Sequence, residues 1–245
     1  MQLVAAALCL VMLTIVVAGV VAAKQTENPR HAGASSIYFL DVAATETHGP
    51  GTLKIDVDKH TFVFNGKDFT PYAMIELKAK AEDGSDNVFA TGKVTPSGNL
   101  HIAGTWEAGA ALPAEVAADY QAVGSFILHN HNGWFVAQLA CYYSFDNGAT
   151  WHETPSIEGI AMGHTGYAPD LDDLGVAPGQ LVRIHAIVVG GKDRTGSEVF
   201  QYSQAYTAWT AMYEITGATW NPTLTYEGIF NAGFPDPCGP PGCVD

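Results

Sequence analysis

Residues 181–189 read Leu-Val-Arg-Ile-His-Ala-Ile-Val-Val, and apolar and polar side chains alternate along most of this stretch. Successive side chains of a β-strand point to opposite faces of its sheet, so alternate aliphatic residues share one face while Arg183 and His185 share the other. One apolar and one polar face are typical of an antiparallel sheet that covers a core on one side only. The stretch therefore predicts a half-buried strand of an antiparallel sheet.

The same period of two recurs along the chain on both sides of this stretch. Runs rich in Val, Ile, Tyr, Phe and Thr are separated by turn residues such as Asn65-Gly66 and Asp83-Gly84. Strands are expected at 37–43, 52–56, 60–64, 73–79, 88–93, 99–106, 124–129, 134–145, 150–152, 157–162, 180–189, 198–203, 208–216 and 223–226. No stretch is long enough for the helix of a βαβ unit, so an all-β chain without parallel sheets is predicted.

Residues 61–79 carry a family resemblance: Thr-Phe-Val-Phe-Asn-Gly-Lys-Asp-Phe-Thr-Pro-Tyr-Ala-Met-Ile-Glu-Leu-Lys-Ala. They are similar to the G-x-x-F-x-P…I/V-x-L stretch of immunoglobulin-like IPT/E-set modules, which occur as repeated units in secreted and cell-surface proteins. The resemblance implies a β-sandwich that acts as a spacer or a binding module. It transfers no catalytic residue to this chain.

A change of pattern between residues 108 and 121 marks the boundary between two domains. Helix-forming residues follow Pro113 there, which suits one or two helical turns. The predicted fold is two antiparallel Ig-like β-sandwich domains after an N-terminal apolar leader. The predicted order is leader 1–23, polar linker 24–34, first sandwich 35–107, linker with a short helical turn 108–122, second sandwich 123–232 and a Cys/Pro/Gly tail 233–245.

The N-terminal stretch indicates export. Residues 3–23 carry no charge, and Val21-Ala22-Ala23 has the small-x-small pattern of a signal peptidase site. The run is also long enough to span a bilayer and has no Lys or Arg before it, which suits a retained anchor. Either reading places the body of the protein outside the cell, secreted or held at the cell surface.

The composition excludes some classes of partner. The chain has 11 Lys+Arg against 25 Asp+Glu and a formal net charge of −14. A nucleic-acid binder needs a cationic surface that displaces counterions, so nucleic acid is not expected as a partner. The same repulsion disfavours an anionic membrane surface. Since the chain contains no Walker loop and no dinucleotide fingerprint, no soluble nucleotide cofactor is expected.

Three cysteines follow the leader. Cys238 and Cys243 lie in Asp-Pro-Cys-Gly-Pro-Pro-Gly-Cys-Val-Asp, where Gly and Pro can fold the chain back, and they are predicted to form a disulfide. A metal site there is the less favoured alternative. Cys141 lies in a strand pattern and is predicted to be a buried free thiol.

The most specific short motif is Ser144-Phe-Asp-Asn-Gly-Ala-Thr-Trp151. It resembles the Asp box, S-x-D-x-G-x-T-W, best known from sialidase propellers, where it stands apart from the catalytic residues. The motif predicts a structural hairpin from Ser144, Asp146, Gly148 and Trp151. Asp146 would cap backbone N–H groups, Gly148 would take the positive φ of the turn, and Trp151 would pack beneath it.

Two clusters can supply metal ligands. His129 and His131 are two residues apart on an extended chain, so both imidazoles can face one metal ion. Asp170, Asp172 and Asp173 lie in one acidic loop that can provide part of a calcium shell. The alternative for both clusters is an ordinary exposed turn. No cofactor other than calcium is expected, and no general acid–base pair is expected at the aspartates.

These patterns favour a non-enzymatic extracellular or cell-surface protein with a structural or adhesive role. Exposed sheet edges are templates for strand addition, and residues 24–34 can pair with a neighbouring copy, so self-assembly is expected. Two alternatives stay open. The first is a carbohydrate- or calcium-dependent binding module, because Trp and Tyr are abundant, although most lie in strands where core packing is the default. The second is a metal-dependent enzyme that uses the histidine cluster.

Overall fold

The computed structural model is all-β, as predicted. It describes residues 37–45, 48–80, 85–108, 112–113, 115–168, 171–206 and 209–231. In these ranges the regular elements are eighteen β-strands and one 3-10 helix, η1 (Gln204–Tyr206). The described residues include no helix that is long and apolar enough to cross a membrane. The predicted leader, the linker 24–34 and the tail 233–245 lie outside the described residues.

The first half of the chain forms two sheets that face each other. Its strands are β1 (Ile37–Val42), β2 (Gly51–Asp56), β3 (Thr61–Gly66), β4 (Met74–Lys80), β5 (Asp86–Lys93), β6 (Leu100–Thr105) and β7 (Val116–Tyr120). One sheet has the order β1-β2-β3-β6 and the other has the order β5-β4-β7. All pairs in both sheets are antiparallel. Alternate residues such as Leu53 and Ile55 on β2, and Ile75 and Leu77 on β4, fill the space between them.

The second half forms a larger pair of sheets. Its strands are β8 (Ala122–Val123), β9 (Ser125–Asn130), β10 (Ala137–Ser144), β11 (His152–Glu153), β12 (Ile157–Ile160), β13 (Thr165–Ala168), β14 (Leu181–Val188), β15 (Arg194–Thr195), β16 (Phe200–Tyr202), β17 (Trp209–Ala218) and β18 (Asn221–Asn231). One sheet runs β11-β10-β14-β16-β8, with β12 beside β10 and β15 beside β14, and the other runs β13-β9-β17-β18. Their inward faces form a second core around Phe126, Phe200 and Tyr213.

Strand β14 shows how far the alternation holds. Its aliphatic face is buried in the second core, as the sequence predicts. On the opposite face Arg183 is partly exposed, but His185 is buried. The imidazole of His185 lies 4.6 Å from the ring of Tyr142 on β10, measured between centroids. The outer face is therefore covered locally by neighbouring aromatic side chains.

Two expectations about secondary structure are wrong. Residues 116–120 form strand β7, where a linker with a helical turn was expected. Val116, Ala118 and Tyr120 alternate with exposed residues and pack into the first core, and this burial outweighs the helix propensity of the local sequence. In addition, β8 pairs with β16 and β9 pairs with β17 in parallel, so the sheets are not wholly antiparallel. Both parallel pairs join strands from distant parts of the chain, which need no local βαβ crossover.

The two halves share hydrogen bonds and core residues. The backbone N–H of Met74 donates to Val199 O at 2.8 Å, and the N–H of Val199 donates to Tyr72 O at 3.1 Å. Leu181 and Val199, from the second half of the sequence, are buried in the first core. The junction between the halves is thus built from paired backbone and packed side chains.

Candidate functional site

The Asp-box residues form one tight turn after β10. Ser144 Oγ donates to Asp146 Oδ1 at 2.6 Å and accepts the N–H of Gly148 at 2.9 Å. The N–H of Thr150 donates to the same Asp146 oxygen at 2.8 Å. These hydrogen bonds, first from Ser144 and then from Thr150, lower the pKa of Asp146 to about 2. Asn147 and Gly148 have φ values of 55° and 84°, the left-handed region that Asn and Gly tolerate.

This hairpin also contacts the first half of the chain. Trp151 packs against the first core, and the guanidinium carbon of Arg183 lies 4.1 Å from its ring centroid. Thr70, on the first half, donates its hydroxyl to Asn147 O at 3.4 Å and shares a 2.6 Å hydrogen bond with the hydroxyl of Tyr120. The turn therefore helps to fix one half against the other.

His129 and His131 lie side by side, with Nε2 of His129 3.4 Å from Nδ1 of His131. The other ring nitrogen of His129 is 2.8 Å from Thr165 Oγ1. Two further histidines of the second half are engaged elsewhere, since His152 stacks on Phe145 and His185 Nε2 lies 3.5 Å from Oε1 of Glu153. In the part of the chain that the structure describes, no three His, Cys, Asp or Glu side chains gather around one point.

The acidic loop is a turn anchored by apolar residues. Leu171 and Val176 are buried, while Asp172 and Asp173 are exposed. Asp172 Oδ2 accepts a hydrogen bond from Gln204 Nε2 at 2.9 Å. Asp170 lies outside the described residues, so the loop is not seen as a three-carboxylate group.

Of the three cysteines that follow the predicted leader, only Cys141 lies within the described residues. Cys238 and Cys243, predicted to form a disulfide, lie outside the described residues. Cys141 is a buried free thiol in the second core, and burial raises its pKa. A thiol that resists ionisation is a poor nucleophile, so Cys141 serves packing.

A different surface emerges where four connections meet at one end of the second half. We call it the loop tip and define it as residues 131–136, 161–164, 189–193 and 219–220, which join β9 to β10, β12 to β13, β14 to β15 and β17 to β18. Because β9 and β17 run parallel, both strands end at the same edge and bring their following loops together.

Backbone hydrogen bonds tie these four loops to each other and to the adjoining strand ends. The bonds are Gly163 N–H to Asn130 O at 2.6 Å, Asn130 N–H to His164 O at 2.9 Å, Trp134 N–H to Gly217 O at 3.2 Å, Val189 N–H to Val136 O at 3.0 Å and Lys192 N–H to Thr219 O at 2.9 Å. Each loop is thus fixed by at least one neighbour, and the tip is preorganised rather than assembled from independent turns.

The side chain of Asn130 is the centre of this arrangement. It is fully buried at the end of β9. Its Nδ2 donates to Phe135 O at 2.9 Å and to Ile160 O at 3.0 Å, while its Oδ1 accepts the N–H of Gly133 at 2.9 Å. A buried amide with three hydrogen bonds holds loop 131–136 against the end of β12.

The loop tip exposes large apolar side chains. Trp134 is 81% exposed and Trp220 is 79% exposed, and about half of each side chain of Met162, Val189 and Val136 is exposed as well. Trp220 occupies the two-residue turn between paired Ala218 and Asn221, so its side chain cannot reach either core. Trp134 falls at the start of the predicted strand 134–145, but each tryptophan also adjoins turn residues, which is a local signal of exposure: Asn132-Gly133 precede Trp134 and Asn221-Pro222 follow Trp220.

A concave surface lies beside the Asp box. An open cavity of about 470 Å³ is lined by residues of the β1–β2 and β3–β4 connections and by Asn147. The imidazole of His48 stacks on Phe69 there, with ring centroids 5.2 Å apart, and its Nδ1 lies 2.8 Å from Gly49 O. His48 is therefore held by packing and by its neighbour's backbone.

Comparisons with known proteins find only weak similarity. No family model matches the chain, and no curated protein matches it. Among solved structures, the chain is similar to one titled "Structure of Sugar Binding Protein Pneumolysin", with 13% sequence identity, coverage of 78% of this chain and a TM-score of 0.25. The match covers 49% of that chain, so this protein spans about half its length. A TM-score this low supports no statement about fold or function.

Proposed function

We propose that this protein is a non-enzymatic extracellular or cell-surface protein with an adhesive role, and that it engages its partner through the loop tip. The observation that carries the proposal is the pair of tryptophans, Trp134 and Trp220, which are 81% and 79% exposed on loops that hydrogen bonds hold in place. Soluble proteins rarely leave large apolar side chains clustered in water unless the cluster binds something. Tryptophan is also, with tyrosine and arginine, one of the residue types enriched among interface anchors.

The architecture supports a display role. Each half has two facing sheets around its own core, which favours the reading as two Ig-like sandwich domains in series. The hydrogen bonds across the junction fix the halves together, so the first half can serve as a rigid base for the tip. Loops carried at one end of a sandwich are the usual binding elements of such folds.

The proposal is tested with the double variant W134A/W220A. Its matched control is Phe145→Ala, which removes a 66% exposed aromatic side chain at the opposite end of β10. Three probes are used: a glycan array with and without chelator, phosphatidylcholine vesicles, and an immobilised second copy of the protein. We expect binding to at least one probe, lost in W134A/W220A and retained in F145A. Binding that survives in the double variant, or wild-type protein that binds none of the probes, contradicts the proposal.

A carbohydrate ligand is the second candidate. An exposed indole ring offers a flat apolar face on which a sugar ring can stack, and the loop tip holds two such rings on adjoining loops. Signal on the glycan array that disappears in W134A/W220A supports this candidate. Dependence of that signal on calcium would in addition support the calcium-dependent form.

Self-assembly through sheet edges is the third element of the proposal. β18 (Asn221–Asn231) is an eleven-residue strand at the edge of its sheet. An edge strand of this length can accept an extended segment from another copy, and residues 24–34 are the proposed donor. Deletion of residues 24–34 should lower the association measured by sedimentation velocity. Unchanged association would exclude that segment as the connector.

A further inference from the structure

We propose that the partner of the loop tip is the headgroup and upper acyl region of a zwitterionic lipid bilayer. This inference rests on the proposed function, because it names the class of surface to which the tip adheres. It follows from three properties of the tip: the chemistry of its exposed side chains, its charge and the satisfaction of its backbone.

The exposed side chains match a lipid interface better than a sugar. Trp134 and Trp220 are amphipathic, and tryptophan concentrates at the boundary between headgroups and hydrocarbon. Met162, Val136 and Val189 are exposed beside them and offer no hydrogen bond. A saccharide site needs polar groups aimed at hydroxyls next to its stacking ring, whereas an acyl region accepts bare aliphatic groups.

The charge of the tip differs from that of the rest of the chain. The whole protein has a formal net charge of −14, but the four loops contain one carboxylate, Asp193, and one cation, Lys192. Asp193 is exposed, but its Oδ1 is engaged within the tip, where it accepts the N–H of Val188 at 2.8 Å. An almost neutral tip avoids the cost of carrying carboxylates into a bilayer. The acidic remainder of the protein is repelled by anionic headgroups, which is why zwitterionic lipid is the expected surface.

The backbone of the tip suits shallow insertion. A bilayer interior offers no water to unpaired N–H and C=O groups, so inserted loops must satisfy these groups internally. The N–H groups of Trp134, Gly163 and Val189 donate to carbonyls of neighbouring loops or strand ends. The side chain of Asn130 pairs a further N–H and two further carbonyls. These backbone groups keep their internal partners when the loops enter the interface, which lowers the cost of shallow insertion.

The experiment measures partition of the full chain into vesicles by sedimentation. Vesicles of phosphatidylcholine alone and of phosphatidylcholine with phosphatidylserine at 3:1 are compared for wild type, W134A, W220A, W134A/W220A and F145A. We expect wild type to bind phosphatidylcholine, each single tryptophan variant to bind about tenfold more weakly and the double variant about a hundredfold more weakly. The F145A variant should stay within about twofold of wild type. Phosphatidylserine should not strengthen binding, and salt should change it little.

A second readout separates insertion from surface adsorption. Brominated acyl chains should quench the tryptophan emission of bound wild type, and W134A/W220A should lose that quenching. The melting temperature of each variant is also measured. A value equal to that of wild type shows that the substitutions at these exposed positions leave the fold intact.

Three results would overturn the inference. In the first, wild type fails to bind vesicles but binds the glycan array or a second copy through the loop tip. This result refutes the lipid partner and leaves the proposed function standing. Vesicle binding that is equal in wild type and W134A/W220A refutes the tip as the contact surface and counts against both proposals. Binding that requires phosphatidylserine and disappears in salt shows an electrostatic mode, which also refutes the inference.

Discussion

At residue 146 one carboxylate oxygen organises a whole turn. Asp146 Oδ1 accepts hydrogen bonds from the hydroxyl of Ser144 and from the N–H of Thr150. Both bonds favour the ionised form, which is why the pKa of Asp146 lies at about 2 instead of 3.8. A carboxylate with a lowered pKa stabilises the fold above its unfolded pKa, and this contribution is lost as pH falls through the folded pKa.

We therefore predict that Asp146→Asn lowers the melting temperature at pH 7, because the amide accepts these hydrogen bonds less strongly than the carboxylate. The difference from wild type should shrink as pH falls from about 4 to about 2. Thermal unfolding followed by circular dichroism at several pH values measures both effects. Asp58→Asn, a substitution in the turn between β2 and β3, serves as the comparison. If Asp146→Asn lowers the melting temperature equally at pH 7 and pH 2, the stability of the turn does not depend on the negative charge of Asp146.

At the scale of elements, one ion pair joins strand β5 to the segment between β15 and β16. Lys93 Nζ lies 2.6 Å from Glu198 Oε1 and 2.8 Å from Ser197 Oγ, and the hydroxyl of Tyr213 donates to the other oxygen of Glu198 at 3.0 Å. Burial opposes ionisation of Glu198, but the hydrogen bonds from Lys93 and from backbone outweigh it, so the pKa of Glu198 is lowered. Glu198 is therefore a charged group at the junction that depends on its partner.

We predict that Lys93→Met lowers the free energy of unfolding by about 1–2 kcal/mol, because it leaves a largely buried carboxylate without its cation. Glu198→Gln should cost a similar amount, and the double variant should cost less than the sum of the two. Lys59→Met is the matched control, since Lys59 is exposed in its 3.1 Å pair with Asp56 and should contribute less than about 0.5 kcal/mol. Urea unfolding at pH 7 measures all four variants, and strictly additive losses would contradict a direct coupling.

The strands themselves were largely predictable, whereas their partners were not. Alternation along β2, β3, β10 and β14 is a local property, so it can be read from the sequence alone. Strand β7 was missed because Ala-rich sequence favours helix until Ile75 and Leu77 on β4 give Val116 and Ala118 a surface to cover.

The loop tip could not be predicted for a related reason. Trp134 and Trp220 are separated by more than eighty residues, and only the parallel pairing of β9 with β17 brings their loops together. The Asp box is the opposite case, because the hydrogen bonds that form its turn lie within eight consecutive residues. A turn formed by neighbouring residues can therefore be predicted from the sequence, whereas a surface formed by loops that strand pairing brings together cannot.

At the scale of the whole molecule, the two halves are coupled. Backbone bonds cross from Met74 to Val199, and Leu181 begins β14 of the second half yet is buried in the first core. Local opening of one core would break these shared contacts and expose residues of the other. The chain should therefore unfold as one cooperative unit rather than as two independent domains.

We predict that Ile184→Val, a change confined to the second core, lowers the stability of both halves equally. The lost methyl group should cost about 1 kcal/mol. Amide protons of β3, in the first half, should then exchange about fivefold faster, by the same factor as those of β10. Hydrogen exchange under native conditions measures both strands in one sample, and Val189→Thr, at an exposed position, should alter neither. Faster exchange in β10 with unchanged exchange in β3 would mean that the shared contacts are too weak to couple the halves, and the first half could then no longer be regarded as a rigid base for the loop tip.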